Sequence, residues 1–194
     1  MLTRSQRCIS GDGTMKKTLL LFALLTTITI AKNSVEIIHG HTLPPEPDPV
    51  VNNATLLGVD SNDNGVRDDV ERWIYKRYKD KHPIHVDIAM QAGRAFQIIL
   101  KNPNQAKEIS VLLHASQTCD AYYMIYAKYF NEPLLIQENI ITKVFRKKVT
   151  NTQERLNAYW QYDTLLSGDT YSTPTIDRNM RQYCDFNTSK YEKP

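Results

Sequence analysis

With 194 residues, of which 41% are hydrophobic and 23% charged, the chain is long enough to bury one real core. Its composition excludes a disordered or fibrous polymer, and it carries no internal repeat. A formal net charge of +3 on 24 basic and 21 acidic residues excludes the strongly basic balance of a general nucleic-acid binder.

Met15, Lys16 and Lys17 precede an apolar run from Thr18 to Ile30, closed by the small residue Ala31. A basic start, an apolar centre and a small residue predict a secretory signal peptide cut near Ala31, with Thr29 as the second small position. The run is too short for a membrane anchor, which needs about 20 residues. No cysteine follows the cut, so no lipid anchor is indicated. Met15 is the expected start, leaving residues 1–14 as a mis-assigned extension. Four of the 24 basic and one of the 21 acidic residues lie before Lys32, leaving 20 of each. The mature protein is thus expected to be neutral, periplasmic or secreted, without a membrane span and without a nucleic-acid partner.

Residues 32–58 read as an extended, proline-marked arm, with a short strand near Ser34 to Ile38. The helical domain is expected over 59–194, as an all-α bundle of about six helices. Asp68 to about Asp80 places acids at a helix N-terminus, with Val70, Trp73, Ile74 and Tyr78 on one apolar face. Pro83 opens a second helix with Ile88, Ala92, Ala95, Phe96 and Ile99 inward. Asn102, Pro103 and Gln105 form a capping box for a long third helix to Phe130. Its inward face is Ile109, Leu112, Ser116, Cys119, Tyr123, Tyr126 and Phe130. A fourth helix is expected over Ile136 to Val149, and a fifth from an Asn151–Glu154 cap to Leu166. A short last one follows Thr173-Pro174, with Ile176, Met180 and Cys184 inward.

The stretch Asp60 to Glu71 carries the most specific chemistry. Asp60, Asn62 and Asn64 alternate, Gly65 follows, and Glu71 stands six residues later: the calcium-loop spacing D-x-[DN]-x-[DN]-G-x5-E. Ca²⁺ takes six to eight oxygens, and alternating side chains in a tight loop turn three toward one centre. The Val66 carbonyl follows, then Asp68 directly or through water, and Glu71 closes the shell with both carboxylate oxygens. A polar turn capping a helix would need Asp or Asn, but not this register.

The loop resembles the EF-hand, and more closely the single calcium loops of dockerin and thrombospondin type 3 repeats. That resemblance implies Ca²⁺ at Asp60, Asn62, Asn64, Val66, Asp68 and Glu71, over about a dozen residues. Two departures limit it. The prolines from Pro44 to Pro49 exclude an entering helix. Position eight, aliphatic where two EF-hand loops pair, is Arg67, and no second loop follows. Three charged ligands imply modest affinity, roughly 10⁻⁵ to 10⁻³ M. Asp69 is expected to lie outside the shell.

Cys119 and Cys184, the only cysteines after the leader, are expected to form a disulfide in an exported protein. Closing about 65 residues restricts the unfolded chain by roughly 4 kcal/mol. A Cys119 nucleophile assisted by His114 is disfavoured, since five residues do not align on a helix. His39, His41, His82 and His85 have zinc-like spacing without a convincing second pair, and read better as exposed loop histidines. Lys143, Arg146, Lys147 and Lys148 form a basic helix patch, in the ordinary case a solvated face. No nucleophile elbow, phosphate loop or dinucleotide fingerprint is present. The chain therefore reads as an exported, non-catalytic binding or envelope-associated factor with a structural calcium site and an unknown partner. The alternative is a periplasmic hydrolase-like enzyme with unrecognised catalytic residues.

Overall fold

The computed structural model describes residues 35–168 and 175–191. The expected signal peptide lies outside them. Within them the protein is all-α apart from a two-stranded antiparallel hairpin, β1 (Ile37–Ile38) and β2 (His41–Thr42), paired Ile37 to Thr42 and Ile38 to His41. No described helix is long and apolar enough to cross a membrane.

The arm, expected to be extended, contains one short helix after its prolines. Asp48 caps α1 (Pro49–Asn53), its carboxylate accepting from Val50 N at 2.8 Å and Val51 N at 3.0 Å. Pro49 occupies the first turn, where a missing N–H costs nothing, so the prolines precede the helix rather than interrupt it. Arg72 ties the arm down, donating to the Pro44 carbonyl at 2.6 Å, to Glu46 at 2.5 Å and to Glu36 at 3.0 Å.

The bundle is built from α2 (Asp68–Tyr78), α3 (Ile84–Lys101), α4 (Ala106–Ala121), α5 (Lys143–Val149) and α6 (Gln153–Leu166). Val70, Ile74 and Tyr78 bury one face of α2, and Trp73 at its margin meets Phe145 edge-on at 5.7 Å. All five residues expected inward on α3 are buried. Asn102 makes no side-chain capping bond, its backbone N–H closing α3 on the Ile98 carbonyl at 3.0 Å; Pro103–Gln105 is a 3₁₀ turn leading into α4. Along α4 the buried stripe runs through Ala106, Leu113, Ser116 and Cys119, while Leu112 is 36% exposed. The inward face is thus the expected one at Ser116, Cys119 and Tyr123, with Leu113 taking the place expected of Leu112. Tyr122–Tyr126 then widens to a π-helix and Ala127–Phe130 tightens to a 3₁₀ turn, so the long third helix is three helical geometries in series.

Residues 136–142 are not helical, contrary to expectation, and the fourth helix begins only at Lys143. Ile136 and Ile140 are both buried, and their spacing of four imitates a helix face. Asp120 instead satisfies this irregular backbone, accepting from Ile140 N at 3.1 Å. Thr142 then caps α5 through Phe145 N, and Thr152, not Asn151, caps α6 through Arg155 N. The last expected helix is a 3₁₀ turn, Arg178–Tyr183, with Met180 buried but Ile176 half exposed.

Cys119 and Cys184 lie at disulfide distance, 1.99 Å between sulfurs, and pin this last segment to α4. Replacing both by alanine is expected to lower unfolding free energy by about 2–4 kcal/mol in denaturant titration; unchanged stability would contradict a structural bond. Asp120 makes a second, pH-dependent prediction. Burial pushes its carboxyl up to about 6. The folded state therefore holds a proton that the unfolded chain has released, and stability falls as pH rises from about 4 to 6. Asp120→Asn keeps an acceptor for Ile140 and removes the titration. Between about pH 4 and 7 the difference in stability should move in the variant's favour by about 2 kcal/mol.

Candidate calcium loop

The loop closes where Asp68 N donates to the Val59 carbonyl at 2.8 Å, fixing the start of α2 beneath it. Its backbone coils around its own side chains. Asp60 accepts from Asn64 N at 3.2 Å and from Gly65 N at 2.8 Å. Asn62 accepts from Asn64 N at 3.2 Å, and Asn64 from Val66 N at 2.9 Å. Gly65 sits at φ +80°, the left-handed turn its place in the motif requires. Val66 is 1% exposed against α3, so any ligand role falls to its carbonyl.

Two carboxylates of the expected set are withdrawn from water: Glu71 is 0% and Asp68 1% exposed. Glu71 Oε2 accepts from the amides of Asn64 at 2.6 Å and Asn62 at 3.3 Å. Asp68 accepts from Ser61 N at 2.9 Å. Burial raises the Asp68 carboxyl above its usual range; the Ser61 hydrogen bonds oppose this, and the charges of Asp60 and Glu71 add to it. Asn62 and Asn64 thus fold over Glu71, while Asp60 holds the loop backbone. Among the described residues no three His, Cys, Asp or Glu side chains alone form a metal-holding group. A cation here would need both asparagine amides turned to present oxygen.

His41 completes the arrangement and was misread from sequence. It is half-buried, with Nε2 at 2.5 Å from Glu71 Oε1 and its ring stacked on Tyr75 at 4.4 Å. Burial, then the Glu71 charge, push the Tyr75 hydroxyl up to about 12. The hairpin therefore reaches the loop through one side chain. His85 is also buried, on α3, its Nδ1 donating to the His82 carbonyl at 2.8 Å.

Arg67 and Asp69 face away from Glu71 into a second buried polar cluster. The Arg67 guanidinium is hydrogen-bonded to Asp69 and reaches Lys148 O at 3.3 Å and Asn151 Oδ1 at 3.0 Å. Lys148 adds an ion pair to Asp69 at 3.0 Å. Burial works against the Asp69 charge, yet these cations hold its carboxyl below the usual range. Asp69, expected outside the calcium shell, is engaged by Arg67 and Lys148. Arg155, 0% exposed, binds Asn151 at 2.7 Å and the carbonyls of Asn52 at 2.6 Å, Thr55 at 3.1 Å and Leu56 at 2.9 Å. Burial lowers its guanidinium to about 10, with the Arg67 charge contributing. The basic patch on α5 is correspondingly not all solvated: Lys148 is engaged, and Arg146 donates to Tyr159 OH at 3.2 Å.

Away from the loop, a cleft of about 530 Å³ is lined by Asp80, Lys81, His82, His85 and Glu138. Burial lowers both histidines below their usual range. Compared with known protein families, curated proteins and solved structures, the chain matches none.

The buried Arg67 and Arg155 side chains converge on Gly58, φ +67°, where a Cβ would lie 2.2 Å from Arg67 Cδ and 2.6 Å from Asn52 Oδ1. Gly58→Ala is expected to lower stability by about 2–4 kcal/mol, combining left-handed strain with displacement of buried groups. Gly40→Ala, at φ +76° with nothing within 4 Å, should show the strain alone. Equal losses in denaturant titration would contradict the packing account.

Proposed function

We propose that the protein is an exported calcium-binding helical protein in which one structural Ca²⁺ site joins the N-terminal arm to the bundle, and that it acts as a non-catalytic binding or envelope-associated factor. The observation that carries the reading is Glu71: a carboxylate with no solvent exposure, met by side chains from alternate loop positions. Asp60, Asn62, Asn64, the Val66 carbonyl, Asp68 and Glu71 would supply the oxygen shell. Ca²⁺ would offset three negative charges that His41 alone does not balance. With affinity in the range of extracellular modules, the site fills outside the cytoplasm and stays largely empty within it. Export would then precede full stabilisation. The Cys119–Cys184 pair is compatible with an oxidising compartment.

A second reading, a hydrolase-like enzyme, is favoured by one observation: the cleft holding His82 and His85 contains titratable groups shifted by burial. It offers no serine, cysteine or threonine nucleophile among its lining residues.

Thermal melts test the calcium reading. At about a hundredfold its dissociation constant, calcium should add about 2.7 kcal/mol and raise the midpoint by several degrees relative to chelator. Glu71→Gln should lose most of that gain without melting lower in chelator, since it removes a buried charge. Asp63→Asn, an exposed change at a left-handed position that asparagine tolerates, should keep it. Identical melts of the unmodified protein with calcium and with chelator would overturn the reading.

A further inference from the structure

The cleft of about 530 Å³ beside the α2–α3 turn has the size of a small-ligand site. Its walls come from three stretches: Asp80 and Lys81 after α2, His82 and His85 at the start of α3, and Leu135 with Glu138 in the irregular segment before α5. The turn fixes the tautomer of both imidazoles. His85 Nδ1 donates to the His82 carbonyl at 2.8 Å, so in the neutral ring Nδ1 holds the proton and Nε2 carries a lone pair. His82 Nδ1 accepts from Ile84 N at 3.3 Å, which leaves the His82 proton on Nε2.

His85 is only 6% exposed, with Tyr78 tilted against its ring at 5.5 Å, and its Nε2 has no hydrogen-bond partner among the described residues. No fully buried side-chain nitrogen or oxygen there is left without one, so this lone pair opens onto the cleft. Burial lowers the pKa of His85, and the nearby His82 and Lys81 add to this against the His82 carbonyl and the Glu138 charge, which favours the neutral ring. The charged lining is two carboxylates, Asp80 and Glu138, and one ammonium, Lys81. Among the described residues none of these three side chains makes a hydrogen bond or an ion pair. An imidazole lone pair and two carboxylates thus outnumber one ammonium and the His82 N–H. No three His, Cys, Asp or Glu side chains among the described residues form a metal-holding group, which turns the choice toward an organic cation.

We infer that this cleft binds a small organic primary ammonium ion, which donates N–H to His85 Nε2 and to the Glu138 carboxylate, with Asp80 beside it. An ammonium group has three N–H donors and no acceptor, so it satisfies a lining on which an anion would be repelled. The site is independent of the calcium loop and requires no catalysis. Butylammonium is the probe, with tetramethylammonium as a cation lacking N–H and butanol as the uncharged counterpart. Calorimetric titration of the full chain near neutral pH should show saturable binding of one butylammonium, with both counterparts severalfold weaker. Glu138→Gln, an exposed change outside any helix, should weaken butylammonium severalfold at unchanged melting temperature. Lys81→Met removes the competing cation and should tighten butylammonium severalfold, a gain that general damage to the fold would not produce. Absence of saturable butylammonium binding at tens of millimolar, equal binding of tetramethylammonium, or a Lys81→Met variant no tighter than the unmodified protein would overturn the proposal.

Discussion

A carboxylate cannot be taken wholly out of water unless something holds its charge, and the first turn of α2 buries three: Asp68, Asp69 and Glu71. The helix turns them in two directions. Asp69 goes toward Arg67 and Lys148, where cations meet it directly. Asp68 and Glu71 go toward the loop, where they meet backbone N–H groups, two asparagine amides and one histidine. Helix-dipole attraction at an N-terminus supports such acids, but it contributes only about 0.3–1 kcal/mol each. That is small beside the cost of desolvating a charge. The two sides of the turn therefore differ in kind: one is met by cations of the chain itself, the other by hydrogen-bond donors and one histidine, and it is there that calcium is proposed to bind.

Much of the architecture follows from where these groups must sit. Arg155 gathers the carbonyls of Asn52, Thr55 and Leu56, and so holds the arm's end beside α6. Gln97 accepts this placement by donating to the Leu57 carbonyl at 2.7 Å. Arg94 crosses above Gly65 and engages Asp185 at 2.7–2.9 Å, linking the loop to the segment tied by the disulfide. The loop is consequently held from three sides: by the hairpin through His41, by α3 through Arg94, and by α2, which begins within it. A metal at this junction would stiffen long-range contacts rather than open a hinge, which suits a structural role.

How far the sequence disclosed this depends on whether a signal was local. The loop spacing was legible because its chemistry is contained in twelve residues. The buried faces of α2 and α3 were legible because periodicity registers burial directly. The helix expected over Ile136 to Val149 forms only from Lys143, because Ile136 and Ile140 satisfy helical spacing while an aspartate twenty residues before Ile140 supplies that residue's backbone partner. Arg67 looked like a departure from a calcium motif; it is a buried anchor that, besides Asp69, binds Lys148 O and Asn151 more than eighty residues on. His41 and Arg155 carry no local mark at all. Their roles arise only when the arm folds back, and no spacing rule encodes that.

The central claim is that the loop side of α2 is completed by calcium, and counting bound metal tests it most directly. Equilibrium dialysis of the purified mature protein against radioactive calcium, at physiological ionic strength, measures the stoichiometry without relying on stability or activity. The account predicts one saturable calcium per chain, reduced to none by Glu71→Gln, with half-saturation between roughly 10⁻⁵ and 10⁻³ M. No saturable calcium across that range, or one that Glu71→Gln leaves in place, would contradict it.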